Sequence, residues 1–157
     1  MRRNSFRSNP AILAFICYSL ILQASLYAQA PNYYIENLTT ADGLPENSAF
    51  AMLQDQQGYM WIGTKAGVVR YDGYSFQPIL LSVENNYNTQ PMVYTLLEDS
   101  FNNIWIGTIE NGLYKWDRGT HRISSYLQNF ESNQVQSGLS IIALHESKPG
   151  ELWVGSD

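Results

Sequence analysis

The side chains in this sequence that could do chemistry are few and far apart. Its two histidines, His121 and His145, have no partner at metal-ligand spacing. Asp55 and Asp99 each open a short turn-like segment, Asp55-Gln56-Gln57-Gly58 and Asp99-Ser100-Phe101-Asn102. One carboxylate per segment supplies neither a carboxylate pair nor the several oxygens that calcium requires. Its ordinary work is to accept hydrogen bonds from turn amides, a role Ser147 could fill without charge. Trp61, Trp105 and Trp153 could stack on sugar rings, but a residue that recurs at a fixed place more commonly packs sheet on sheet. No Gly-x-Ser-x-Gly elbow, phosphate-binding glycine loop or kinase motif is present. No catalytic, cofactor-binding or metal-binding residue is therefore expected.

The tryptophans lead to the elements that position them. Trp-Ile-Gly-Thr occurs at 61–64 and at 105–108, and Trp-Val-Gly-Ser at 153–156, so the tryptophans lie 44 and 48 residues apart. That period suits a four-stranded β unit. The nine residues before each tryptophan align without a gap, and Gly67-Val68-Val69-Arg70-Tyr71-Asp72 overlies Gly112-Leu113-Tyr114-Lys115-Trp116-Asp117. In the first unit the pattern predicts strands over Ser48–Gln54, Tyr59–Thr64, Val68–Tyr71 and Ser75–Leu80. Gly58 and Gly150, with Asn102 between them in the series, stand where a hairpin demands positive φ. Gly63, Gly107 and Gly155 are expected to permit close backbone approach. The segment Tyr33–Leu38 is patterned like the fourth strand of a unit.

Residues 1–30 hold Arg2, Arg3 and Arg7, an apolar run from Ala11 to Leu22, and a small-residue stretch ending Ala28-Gln29-Ala30. These are the three parts of a secretory signal peptide. The run is too short for the roughly 20 apolar residues of a membrane span. Cys17, the one cysteine, follows Phe15-Ile16 rather than a small residue, which argues against a lipoprotein. After cleavage no cysteine remains, and six basic residues face fourteen acidic ones, a net charge of −8 that disfavours nucleic acid.

On these residues the chain resembles the two-component regulator propeller repeats of Bacteroidetes-type hybrid sensor kinases. Gly43-Leu44-Pro45-Glu46-Asn47 and the core Asp55-x-x-Gly58-x-x-Trp61-Ile62-Gly63-Thr64-x-x-Gly67 carry the resemblance. The second unit repeats it through Asp99, Trp105, Gly107, Thr108 and Gly112, and the third through Trp153 and Gly155. All of these are expected to be structural. The resemblance implies an all-β fold of propeller-type four-stranded blades, about two and a half repeats, following the signal peptide. The expected divisions are a signal peptide at 1–30, a strand and linker at 31–47 that closes the last blade of a full ring, and repeats at 48–90, 91–136 and a truncated 137–157. It also implies a periplasmic ligand sensor, commonly of carbohydrate fragments, whose kinase modules lie elsewhere, with the present chain a fragment. The expected partners are a carbohydrate or other small ligand, the remaining blades, and further copies through open blade edges. Polar loops at 84–90 and 129–136 are the candidate ligand contacts. An exported scaffold or adhesion module is the alternative, and a propeller lyase or hydrolase a more distant one.

Overall fold

The computed structural model describes residues 9–12, 14, 15, 18, 19, 33–81, 90–126 and 138–157. The chain divides into two compact units, Met1–Glu36 and Asn37–Asp157. In the first, the described residues between 10 and 19 are helical, and no helix among the described residues is long and apolar enough to cross a membrane. Most of the signal segment, including Cys17 and its small-residue end, lies outside the described residues, as do 84–89 and 129–136 of the two candidate ligand loops. Residues 33–38 are the segment expected to complete the last blade of a full ring. They are irregular rather than a strand, and Tyr33, Tyr34 and Ile35 are exposed. A strand exists through its ladder, and these residues have no ladder partner among the described ones.

The second unit opens with a single 3-10 turn, Thr40–Asp42, closed by a capping box in which the Asp42 carboxylate accepts the Thr39 amide at 2.8 Å. Gly43, at φ +109°, reverses the chain, and Leu44 then packs against Ile62 and Val69. The Gly-Leu-Pro segment thus covers one face of the first sheet.

That sheet comprises β1 (Ala49–Gln54), β2 (Met60–Thr64), β3 (Gly67–Tyr71) and β4 (Phe76–Ile79), antiparallel and in sequence order. The second repeats it with β5 (Val93–Glu98), β6 (Ile104–Thr108), β7 (Gly112–Asp117) and β8 (Arg122–Ser125). The third is the hairpin β9 (Ile141–Lys148) and β10 (Glu151–Ser156). The fold is all-β, built of propeller-like blades. The turn glycines behave as the patterning requires, with Gly58 at φ +91°, Asn102 at +64° and Gly150 at +82°.

Strand alternation assigns the faces. On β2 and β3, Trp61, Gly63, Val68 and Arg70 share one face by register, and Ile62 and Val69 share the other. The first face meets the second sheet, where Trp61, Val68 and Leu81 join Val93, Ile104, Ile106, Tyr114 and Trp116 in a buried core. Across it the Trp61 and Trp116 rings lie 5.0 Å apart. In the second sheet, register places Trp105 and Gly107 on the face opposite Ile104 and Ile106, and this face meets β9. Each blade therefore offers its tryptophan forward and its isoleucines back. Trp153 presents the same face on the third hairpin. It is 65% exposed, because its face meets no further sheet among the described residues.

Candidate functional site

Within each hairpin the recurrent polar residues form one hydrogen-bonded unit. Asp55 accepts the amides of Gln57 and Tyr59 at 3.0 and 2.9 Å, and its other oxygen accepts the Trp61 indole at 2.9 Å. Asp99 does the same for Phe101, Asn103 and Trp105, the last at 2.8 Å. In the third hairpin the Ser147 hydroxyl takes the acceptor's place, at 3.0 Å from the Trp153 indole nitrogen. The carboxylates thus do two things at once: they hold the turn and satisfy a tryptophan N–H that would otherwise be buried unpaired. At the far end of β2 and β6, Thr64 donates to the Gly67 carbonyl at 3.0 Å and Thr108 to that of Gly112 at 2.7 Å. Gly67 and Gly112 both adopt positive φ there.

The sheets are joined by close approach and by charge. A Cβ on Gly63 would lie 2.6 Å from Val93 of the next sheet, and one on Gly107 would lie 2.9 Å from Ile141. On Gly155 it would meet only Ala143 of its own hairpin, at 3.1 Å. Glu98 reaches back to the Gln56 amide at 2.9 Å, and Glu146 to the Ser100 amide and hydroxyl, both at 2.7 Å. Each glutamate clasps the hairpin turn of the preceding blade.

Arg118, in the turn between β7 and β8, completes the first seam. Its Nη2 lies 2.9 Å from Asp55 and 3.2 Å from Glu98, and its Nε donates to the Asn102 carbonyl at 2.8 Å. The guanidinium sits 5.4 Å from the Trp116 ring centre, and its Nη1 is buried without an acceptor among the described residues. Burial pushes the Asp55 carboxyl up, but the Trp61 indole, Arg118 and the Tyr59 amide outweigh it, and its pKa falls below the ordinary value. Asp99 is likewise lowered, with Asn103 and Trp105 overcoming burial.

The structure brings Asp55, Gly58 and Trp61 together in one hairpin, Asp99 and Trp105 in a second, and Trp153 with Ser147 in a third. It does not converge them on a common centre. His121 stands in the turn between β7 and β8 and His145 on β9, and no group of three His, Cys, Asp or Glu able to hold a metal occurs among the described residues. Arg118, Glu98 and Glu146 were missed in the sequence. Glu98 and Glu146 did carry a signal, since both directly precede the turn-opening residue.

A family model described as two component regulator propeller matches residues 43–66 and 87–110. A curated protein named histidine kinase P4, from Formosa agariphila, is 35% identical over 69 residues, 44% of this chain and 5% of that protein. The crystal structure of the extracellular domain of a hybrid two component system, BT3049 from B. thetaiotaomicron, superposes with a TM-score of 0.63 at 25% identity, covering 78% of this chain and 18% of that one. The chain thus spans only a small part of either relative's length. The third hairpin lies outside the matched residues yet keeps the same indole-to-turn bond. Over residues 43–66 and 87–110 the repeat sequence matches two-component regulator propeller repeats, and the blade geometry resembles that of the extracellular domain of a hybrid two component system.

Proposed function

We infer that the chain is the extracytoplasmic, ligand-sensing propeller portion of a two-component signal transduction regulator, exported to the periplasm behind a cleaved signal peptide. The observation that carries this is the likeness, over 78% of the chain, to the extracellular domain of a hybrid two-component system. The ligand class is carbohydrate, and the chain itself performs no catalysis: its recurrent carboxylates are committed to turn amides and indoles rather than aimed into a common cleft. Its structural partners are further blades of the same propeller.

Two measurements test this. Expression with its own leader, followed by fractionation and mass measurement, should yield a periplasmic product shortened by about thirty residues. Calorimetric titration with a panel of oligosaccharides should then give saturable binding to at least one. An uncleaved cytoplasmic product that binds none of the panel defeats the reading. A second reading, an exported scaffold that self-associates, is favoured by the outward apolar faces, where Met52 is 70% and Trp153 65% exposed. It predicts concentration-dependent oligomers and no saccharide binding.

A further inference from the structure

We propose that the cleft between β3–β4 of the first sheet and β7–β8 of the second binds a small organic anion. The cleft has a volume of about 420 Å³, within the range of small-molecule sites, and is lined by Arg70, Gln77, Ile79, His121 and Arg122 among others, with no acidic residue. In a chain of net charge −5 this is an unusual convergence of positive charge. The corresponding cleft between the second and third sheets is lined by Asp99 and Asp117 beside a single lysine, Lys115.

The cationic groups are held in place but not neutralised. Arg70 is hydrogen-bonded to Gln77, its register partner on β4, and its guanidinium lies 4.4 Å from the Tyr59 ring centre. Among the described residues neither Arg70 nor Arg122 forms an ion pair with a carboxylate. His121 adopts a left-handed φ of +55° and stacks on Trp116 with ring centres 5.5 Å apart and planes 10° from parallel. That conformation is costly for a residue with a Cβ. The turn that imposes it is fixed by Asp117, which accepts the amide and hydroxyl of Thr120 at 2.8 and 2.9 Å. Four residues separate Tyr71 from its partner Phe76 on the first sheet, whereas six separate Trp116 from Ile123 on the second. The two additional residues belong to the stretch that presents His121 and Arg122. Arg70 overlies Lys115 of the second blade, so it is His121 and Arg122 that set this cleft apart, while its apolar side chains Pro78, Ile79 and Ile123 would accept the body of a ligand whose charged group pairs with the arginines.

The site stands on this cleft alone and requires no signalling role. The test is calorimetric titration of the chain with glucuronate, with glucose as its uncharged counterpart, and with inorganic sulfate as competitor. Saturable binding of glucuronate, displaced by sulfate and absent for glucose, is expected. Arg122→Gln, at an exposed position, should weaken glucuronate by at least about tenfold. Lys148→Gln, on the third hairpin, should leave it unchanged. Arg70→Gln should act like Arg122→Gln, with the unfolding midpoint recorded because Arg70 also packs on Tyr59. Failure of both anions to bind, equal affinity for glucose, or an Arg122→Gln protein that binds glucuronate as well as the parent overturns the proposal.

Discussion

Replacing Asp55 by alanine tests whether the seam between the first two sheets is held as described. The carboxylate is wholly buried and accepts from two turn amides, from the Trp61 indole at 2.9 Å and from Arg118 at 2.9 Å. Alanine leaves the indole N–H without its acceptor and deprives Arg118 of one of its two carboxylates. Removing one partner from a buried ion pair costs about 3–5 kcal/mol. Arg118 keeps Glu98 at 3.2 Å and its side chain is 14% exposed, which places the loss at the low end, about 3 kcal/mol. With a urea dependence of roughly 1–3 kcal/mol per molar, the midpoint should fall by about 1–3 M. Asp55→Ser, which copies the Ser147 solution, retains an acceptor for the indole and should recover about 1 kcal/mol. Urea titration followed by tryptophan fluorescence reads all of these. Asp55→Ala and Arg118→Met should be strongly non-additive, since both break the same contact. A loss below about 0.5 kcal/mol, or a double mutant equal to the sum of the singles within that margin, would refute the assignment.

Stability should also fall in acid. Asp55 and Asp99 have folded pKa values below their ordinary ones, so in this range the unfolded chain binds more protons than the folded one. Their stabilisation is therefore complete above the unfolded carboxylate value of about 3.9 and is lost as pH drops through the lower folded values. Urea midpoints measured from pH 6 downward should decline in that window, and less steeply in Asp55→Asn and Asp99→Asn. Gly107→Ala should destabilise by about 1–3 kcal/mol through overpacking, because its Cβ would meet the Ile141 carbonyl at 2.9 Å. Gly58→Ala meets nothing within 4 Å and should cost only about 1 kcal/mol, from its φ of +91°, with Gly58→Asn costing less. Trp61→Ala should cost about 3–5 kcal/mol, whereas Trp153→Ala, at an exposed site, should change stability little.

The strands of the first blade were legible to within a residue or two, because alternation and turn residues act locally. Ser48–Gln54 becomes Ala49–Gln54, with Ser48 bonded instead to Glu46, and Ser75–Leu80 becomes Phe76–Ile79, with Ser75 held by the Asp72 turn. The Asp55 turn was legible for the same reason. That its carboxylate also binds Trp61 was implicit in the six-residue interval shared with Asp99–Trp105 and Ser147–Trp153. Contacts between sheets were less accessible. Nothing local to Arg118 says that it lies against Asp55, 63 residues away, because that pairing depends on how two blades stack. Trp153 and Tyr33–Leu38 depend on stacking in the same way. Their patterns are those of packed strands, but packing is a property of the neighbouring sheet, and no such neighbour lies against them among the described residues.

Repetition separates the two kinds of residue in this chain. Whatever recurs at 44 to 48 residue intervals is spent on architecture: the aspartate or serine beneath the indole, the glycine at the sheet-to-sheet contact, the glutamate reaching to the preceding turn. A side chain whose hydrogen-bonding atoms are all engaged within its own blade or seam has nothing left for a ligand. Chemical individuality must therefore come from departures. One departure among the described residues is Trp116 where the first blade has Tyr71, followed by a hairpin one ladder pair longer, Asp117–Arg122. Trp116 packs against Trp61 on one side and carries His121 stacked at 5.5 Å, while Arg70 and Arg118 approach its ring to 6.0 and 5.4 Å. Substituting Trp116 with tyrosine, the first blade's own residue, preserves an aromatic in the core but withdraws the wider surface on which His121 stacks. The blade should remain folded, and the cleft between β4 and β8 should lose its shape before the sheets lose their pairing.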